Sequence, residues 1–441
     1  MIGLNSIFFF LFQLFALGVG LFLLTKVSNS FKPGLSLIVL LYSVFNVFVP
    51  FIDFYLHINS FFGFQFSDDP ILRYRLGLIY TFGISCLFIG HYCFHFYPLR
   101  LMKFDQVKTC YSDDKILVMM VLAQIIIWIL VFFNFWSSGI SIINIFDLAS
   151  HNETDLLFSA PWKYPLIDML SNCLPVCLFI QLKFSKKIPW FWVVLFSFWL
   201  FISLLSGWRY RIILIVLFII LDFLIVKKWS FKKIFYATFI LGIALSWLTL
   251  NRMAIAKRQF HLVTFDLSQF DIKIFATEFS NSRTFKATLI YLESHSEIEA
   301  LGPTSWFTFL KNKLKPKADF PNLERPKPWI LEVTKAWIPP GWPWNPNPAV
   351  TQMEEFFLTF GWVGLIIGMF MVGLWVGFLD ILVKDPVFQS FKIVGIALLF
   401  QWTTRGFFLY QLQITLVCFL PFLLLWLAKP YLSHVSATNK A

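Results

Sequence analysis

The chain is built around apolar runs of the length that crosses a bilayer. A transmembrane helix needs about 20 mainly apolar residues, in the range ~17–25. Eleven segments meet this requirement, at 4–25, 35–56, 74–96, 116–136, 166–182, 190–206, 210–226, 234–250, 356–379, 387–404 and 407–428. A soluble fold of 441 residues could not hide them, because 58% of the chain is apolar and only 14% is charged. Average soluble domains run at about 45–50% and 25%, and surface-to-volume scaling would leave much of the excess in water. The same figures exclude a disordered chain, a collagen or a secreted disulfide scaffold. The expectation is an all-α polytopic integral membrane protein of about 11 transmembrane helices. It divides into spans one to eight (1–250), a large polar loop (251–355), and spans nine to eleven with a tail (356–441). Met1–Ser6 lacks positive charge and no small-residue cleavage site follows, so a cleavable signal peptide is not expected.

Orientation follows from Lys and Arg, which favour the cytoplasmic side of short loops. With the N-terminus outside, the inner segments receive Lys227, Lys228, Lys232 and Lys233 of KKWSFKK. They also receive Arg100, Lys103, Lys108, Lys115, Lys183, Lys186 and Lys187. The short outer loops then hold only Arg73, Arg75, Lys163, Arg209, Arg211 and Arg405. N-out, C-in is therefore expected, with 251–355 on the outer face. A loop that long is commonly functional or carries structure of its own.

The unusual cations collect on that face. Arg209 lies in SGWRYR between spans six and seven, and Arg405 in QWTTRGFF between spans ten and eleven. Arginine near hydrocarbon costs up to ~3 kcal/mol on insertion scales, a cost that snorkelling to the headgroups relieves. Arg209 and Arg211 are about 200° apart on a helix, so Arg209 is the candidate ligand-facing residue and Arg211 the headgroup contact. In the loop, Arg252, Arg258, Arg283 and Lys286 are available cations, and Glu278, Glu293 and His295 available proton acceptors. Asn251–Glu299 reads as helical. Arg283 follows Asn281–Ser282 at a helix start, where free N–H groups also favour anions. Five prolines between 339 and 348 prevent regular structure there. Trp329, Trp337, Trp342 and Trp344 beside them offer flat faces for sugar rings or a headgroup layer.

Several chemistries lack their residues. No GxxxxGK[ST], GxGxxG, HExxH or Asp-x-Asp occurs. The net charge of +12 does not mark a nucleic-acid binder, because the loop is nearly balanced and forms no polybasic patch. His91, Cys93 and His95 on span three have no third strong metal ligand, and Cys173 with Cys177 reads as packing. Asp68–Asp69 is a weak acid/base candidate. No metal site and no cofactor are expected.

Several segments, in order, resemble bacterial oligosaccharide repeat unit polymerases of the O-antigen polymerase (Wzy) type. SGWRYRIILIVLFIILDFLI resembles the family's glycine–x–arginine opening of a span. SRTFKATLIYLESHSEIEALGPTSWFTFL looks like the start of its large outer loop, and KPKADFPNLERPKPW like the proline- and cation-rich stretch that follows. PNPAVTQMEEFFLTFGWVGLIIGMFMVGL looks like the loop-end signature, a glutamate before an aromatic, then Phe-Gly entering a span. TTRGFF resembles the late arginine–glycine. Bulky Trp208 and Tyr210 depart from the small residues the pattern has around the first arginine.

The resemblance implies a GT-C-like glycosyltransferase architecture in the bacterial cytoplasmic (inner) membrane, active on its periplasmic face. A growing glycan on undecaprenyl diphosphate would be transferred to the non-reducing end of a lipid-linked repeat unit. Arg209, Arg283, Arg405 and Arg325 or Lys327 would meet the diphosphate leaving group; by position rather than by resemblance, Arg252 and the headgroup-level Arg211 are further candidate substrate contacts. Bidentate, charge-assisted hydrogen bonds strengthen where water is scarce. Glu355, Glu278 or His295 would take the acceptor proton, and the sequence does not choose among them. The implied partners are undecaprenyl-diphosphate-linked oligosaccharide and the bilayer, with a chain-length regulator and a lipid-linked oligosaccharide flippase as candidates and no nucleic acid. An O-antigen ligase-like transferase would use the same arginines. A polytopic transporter of the same lipids is a rival from another class, but no internal repeat is evident.

Overall fold

The structure is a computed structural model that describes residues 33–55, 60–61, 64–65, 70–96, 113–137, 170–184, 209–225, 281–297, 302–313, 329–338, 350–381, 386–404 and 408–432, plus residues 11, 13–15, 18, 194 and 197. These residues are almost entirely helical. Four helical stretches, Pro33–Asp53, Ile71–Phe94, Asp113–Phe133 and Gln352–Ile381, are long and apolar enough to cross a membrane. The expected spans at 35–56, 74–96, 116–136 and 356–379 coincide with them. Helices also occupy parts of 166–182, 210–226, 387–404 and 407–428. The expected span at 234–250, and most of those at 4–25 and 190–206, lie outside the described residues.

The chain divides into two compact units. The first comprises Met1–Pro98, Ser268–Ile381 and Leu399–Gln411. It opens with α1 (Pro33–Ser43), a π-helical turn (Val44–Phe48) and α2 (Val49–Tyr55). Proline suits the first helical position, where no N–H is required. The free N–H groups of Gly34 and Leu35 are taken by Asp380, at 2.9 and 3.1 Å. A short antiparallel pair, β1 (Ser60–Phe61) and β2 (Phe64–Gln65), precedes α3 (Pro70–Phe96).

α3 crosses α10 (Gln352–Ile381) at close range. A side chain at Gly90 would strike the Phe370 carbonyl, and one at Gly373 the Leu87 carbonyl. Glycine at both crossing points thus brings two backbones together, which is how helices gain packing in a lipid environment. Leu87, Met369, Tyr42 and Ile79 fill this core.

Among the described residues, the polar loop adds three helices to the first unit: α7 (Asn281–Glu293), α8 (Gly302–Lys313) and α9 (Trp329–Ala336). α7 buries Phe285, Leu289 and Leu292 on one side. Trp337 donates its Nε1–H to Thr288 Oγ1 at 3.1 Å and meets Phe64 edge-on at 5.6 Å. Trp329 lies against Gly302. These contacts gather the loop helices at the end of the unit that holds the close of α2 and the start of α3.

The second unit comprises Leu99–Leu267, Leu382–Leu398 and Leu412–Ala441. It contains α4 (Asp113–Ser137), α5 (Cys173–Phe184) and α6 (Arg209–Ile225). It also contains most of α11 (Pro386–Thr404) and α12 (Phe408–Leu427), and α13 (Lys429–Leu432). Two polar pairs lie within it. Gln181 Nε2–H donates to Gln124 Oε1 at 3.1 Å, and Lys183 meets Asp222 at 3.1 Å. Cys173 is buried with its S–H on the Val417 carbonyl, and Cys177 is buried as well. Phe391 stacks on Phe419 with ring centroids 4.3 Å apart.

Candidate functional site

The richest polar constellation lies where α7 and the start of α10 meet the ends of α2 and α3 in the first unit. Arg283, in the first turn of α7, forms a two-pronged ion pair with Asp53 of α2. Nε donates to Oδ2 at 2.9 Å and Nη2 to Oδ1 at 2.6 Å. The arginine side chain is 5% exposed and the aspartate 14%, a dry setting in which a bidentate pair is strong. Arg75 of α3 pairs with Glu293 in the last turn of α7 and lies 5.9 Å over the Phe357 ring. Phe357 meets Phe285 edge-on at 6.1 Å. Both ends of α7 are thus tied to spans.

The start of α10 is shaped by Thr351-Gln-Met-Glu354. The Glu354 carboxylate accepts the Thr351 N–H at 2.5 Å, and Thr351 Oγ1 accepts the Glu354 N–H at 3.3 Å. This is a reciprocal capping box. The next residue, Glu355, bonds its N–H to the Thr351 carbonyl at 2.9 Å and is buried. Residues 352–359 are all buried, whereas Trp362, Val363, Ile366 and Ile367 beyond them are exposed apolar residues.

Gly361 separates these two stretches. Its φ of 63° and ψ of −150° lie in a region essentially reserved for glycine. In a straight helix Phe356 and Gly368 would be about 18 Å apart, yet the Phe356 ring fills the space where a Gly368 side chain would stand. The chain therefore bends sharply at Gly361 and lays Gln352–Phe360 against the rest of α10.

Several buried side chains here make no hydrogen bond among the described residues: Ser282 Oγ, Thr284 Oγ1, Thr359 Oγ1, both polar atoms of Gln352, and Glu354 Oε1. Tyr42 of α1 lies within electrostatic reach of Glu354.

The sequence-derived candidates distribute unevenly over this picture. Arg283 and Glu355 both lie in this unit, the first held by Asp53 and the second in the first turn of α10. His295 is exposed just past α7. Its ring stacks on Tyr291 at 4.2 Å, and Nδ1 lies 3.0 Å from Ser294 Oγ. Arg209 and Arg211 open α6 in the second unit, their side chains outside the described residues. Arg252, Glu278, Arg325, Lys327 and Arg405 also lie outside them, as do Asp68 and Asp69. His91 faces Asp380 at 3.3 Å.

One expectation is corrected. Trp329 and Trp337 are no open platform for sugars or headgroups, because both are buried as anchors of α9. Asp53, Gln352 and Thr359 belong to this polar constellation, and sequence reasoning passed over them. Thr359 carried a usable signal, being a polar position inside an apolar run.

The chain matches no model of a known protein family, no curated protein and no solved structure.

Proposed function

We propose that this chain polymerises undecaprenyl-diphosphate-linked oligosaccharide repeat units into a surface polysaccharide. The observation that carries the reading is the loop-end segment. Glu355 stands buried on a short helical arm that turns back at Gly361, against the loop helix whose first turn holds Arg283. A carboxylate shielded from water at the ends of spans suits proton removal from a sugar hydroxyl beside a lipid-borne substrate.

In this reading the protein has eleven spans in a GT-C-like arrangement in the bacterial cytoplasmic membrane, with the loop helices on the periplasmic side. The bond between the anomeric carbon of the growing glycan and its diphosphate breaks, and the diphosphate leaves with the bonding electrons. Arg209 and Arg405 receive the charge that develops on it. The non-reducing-end hydroxyl of the acceptor repeat unit attacks the same carbon from the opposite face, giving inversion, and passes its proton to Glu355. Asp53 and Arg283 hold α7 in position. Lipid tails approach sideways between spans, and a chain-length regulator and a flippase act alongside.

The test is reconstitution. Purified protein in liposomes, given one lipid-linked repeat unit as sole substrate, yields a ladder of lengthening products that Arg209→Ala and Arg405→Ala abolish. Untouched substrate with folded protein, transfer to a different acceptor, or translocation without new glycosidic bonds overturns the proposal.

A further inference from the structure

Gln352, Glu355 and Thr359 share one face of the segment before Gly361. At about 100° per residue they fall within roughly 60° of one another. Along the axis Glu355 stands about 4.5 Å beyond Gln352, and Thr359 about 6 Å beyond Glu355. Gln352 is 1% exposed and Thr359 4%. Neither the amide oxygen and nitrogen of Gln352 nor the hydroxyl of Thr359 has a hydrogen-bond partner among the described residues.

Burying such groups unmet is costly, and a sequence this rich in Phe, Leu and Ile has apolar alternatives throughout. A single water reaches partners no more than about 6 Å apart, which is short of the roughly 10 Å from Gln352 to Thr359 along the helix. A ligand that spans this distance with several hydroxyls fits better. An amide offers both donor and acceptor, and a threonine hydroxyl does the same, which matches neutral sugar hydroxyls rather than a phosphate.

We infer that the Gln352–Glu355–Thr359 face is the acceptor-sugar subsite, where Gln352 and Thr359 orient the terminal sugar so that its attacking hydroxyl meets Glu355. The inference rests on the polymerase reading and adds to it the part of the substrate that binds here. It assigns the acceptor's carbohydrate to this segment and leaves the diphosphate to the arginines.

The probe is the oligosaccharide repeat unit of the source bacterium, freed from its lipid by mild acid, titrated into the full-length protein in detergent. The ladder assay is run on the same preparations. Saturable binding by the unaltered protein is expected, weakened at least tenfold in Gln352→Leu and in Thr359→Val. Without sugar, both variants should melt at or above the original temperature, because each replaces an unmet buried polar group with an apolar one of similar size. Should Gln352→Leu fail to fold, Gln352→Asn, which only shortens the reach, replaces it. Equal binding by folded variants overturns the subsite, as does absence of binding by a protein that still builds the ladder. Absence of both ladder and binding in the folded protein overturns the polymerase reading instead.

Discussion

Asp53 and Arg283, 230 residues apart in sequence, face each other through two parallel hydrogen bonds. The pair fastens the first turn of α7 to the end of α2. Removing one partner of a buried pair leaves the other charge uncompensated, which typically costs ~3–5 kcal/mol. Asp53→Ala should therefore lower the melting temperature of the purified protein sharply. The double change Asp53→Ala with Arg283→Met should restore much of the loss. If the double variant melts as low as Asp53→Ala alone, the pair is not the fastening.

Gly361 holds a backbone conformation that costs other residues about 1–3 kcal/mol. Gly361→Ala should destabilise by that order in detergent melts. It should also draw Phe356 away from Gly368, which a spin-label pair placed on the two arms of α10 would record as a lengthened distance. An unchanged distance would mean that packing alone sets the bend.

Adjacent glutamates at the start of α10 have different surroundings, so their isosteric replacements should differ. Glu354 takes part in the capping box with Thr351, and a glutamine can fill the same position. On the proposed function, Glu354→Gln is expected to keep most polymer synthesis, whereas Glu355→Gln should lower the rate by roughly 10²–10⁴, the usual worth of a general base. Melting curves for both should stay near the original. Reversal of the two effects would transfer the proton-accepting role to Glu354.

Asp380 closes the first turn of α1 by accepting the Gly34 and Leu35 N–H groups. Loss of a cap costs about 0.5–2 kcal/mol. Asp380→Ala should lower stability by at least that much, since His91 also loses its partner. Asp380→Asn, which keeps one acceptor oxygen, should fall between. Equal stability of all three proteins would show that the cap contributes nothing.

Hydropathy alone marks α1–α2, α3, α4 and α10, because lipid contact requires long apolar faces and leaves few alternatives. The start of α7 at Asn281 was also readable, since it depends on residues within one turn of each other. The Asp53–Arg283 pair was not, because nothing local to either residue tells which distant charge it will meet. The burial of Trp329 and Trp337 was missed for a related reason. Beside prolines and lysines they look like surface residues, and only the packing of α9 onto α7 and α8 encloses them. The bend at Gly361 escapes hydropathy because both arms of α10 are apolar, and the sign of a dihedral angle leaves no trace in an average.

The bend also divides labour within a single apolar run. The residues from 362 to 381 rise about 30 Å, the thickness of a bilayer's hydrocarbon layer. The arm before Gly361 is thereby released from any demand of membrane depth. Insertions or deletions there would rotate its side chains against their neighbours while the anchor stayed at the same level. Side-chain placement before the bend and anchorage after it are then free to diverge independently on one helix.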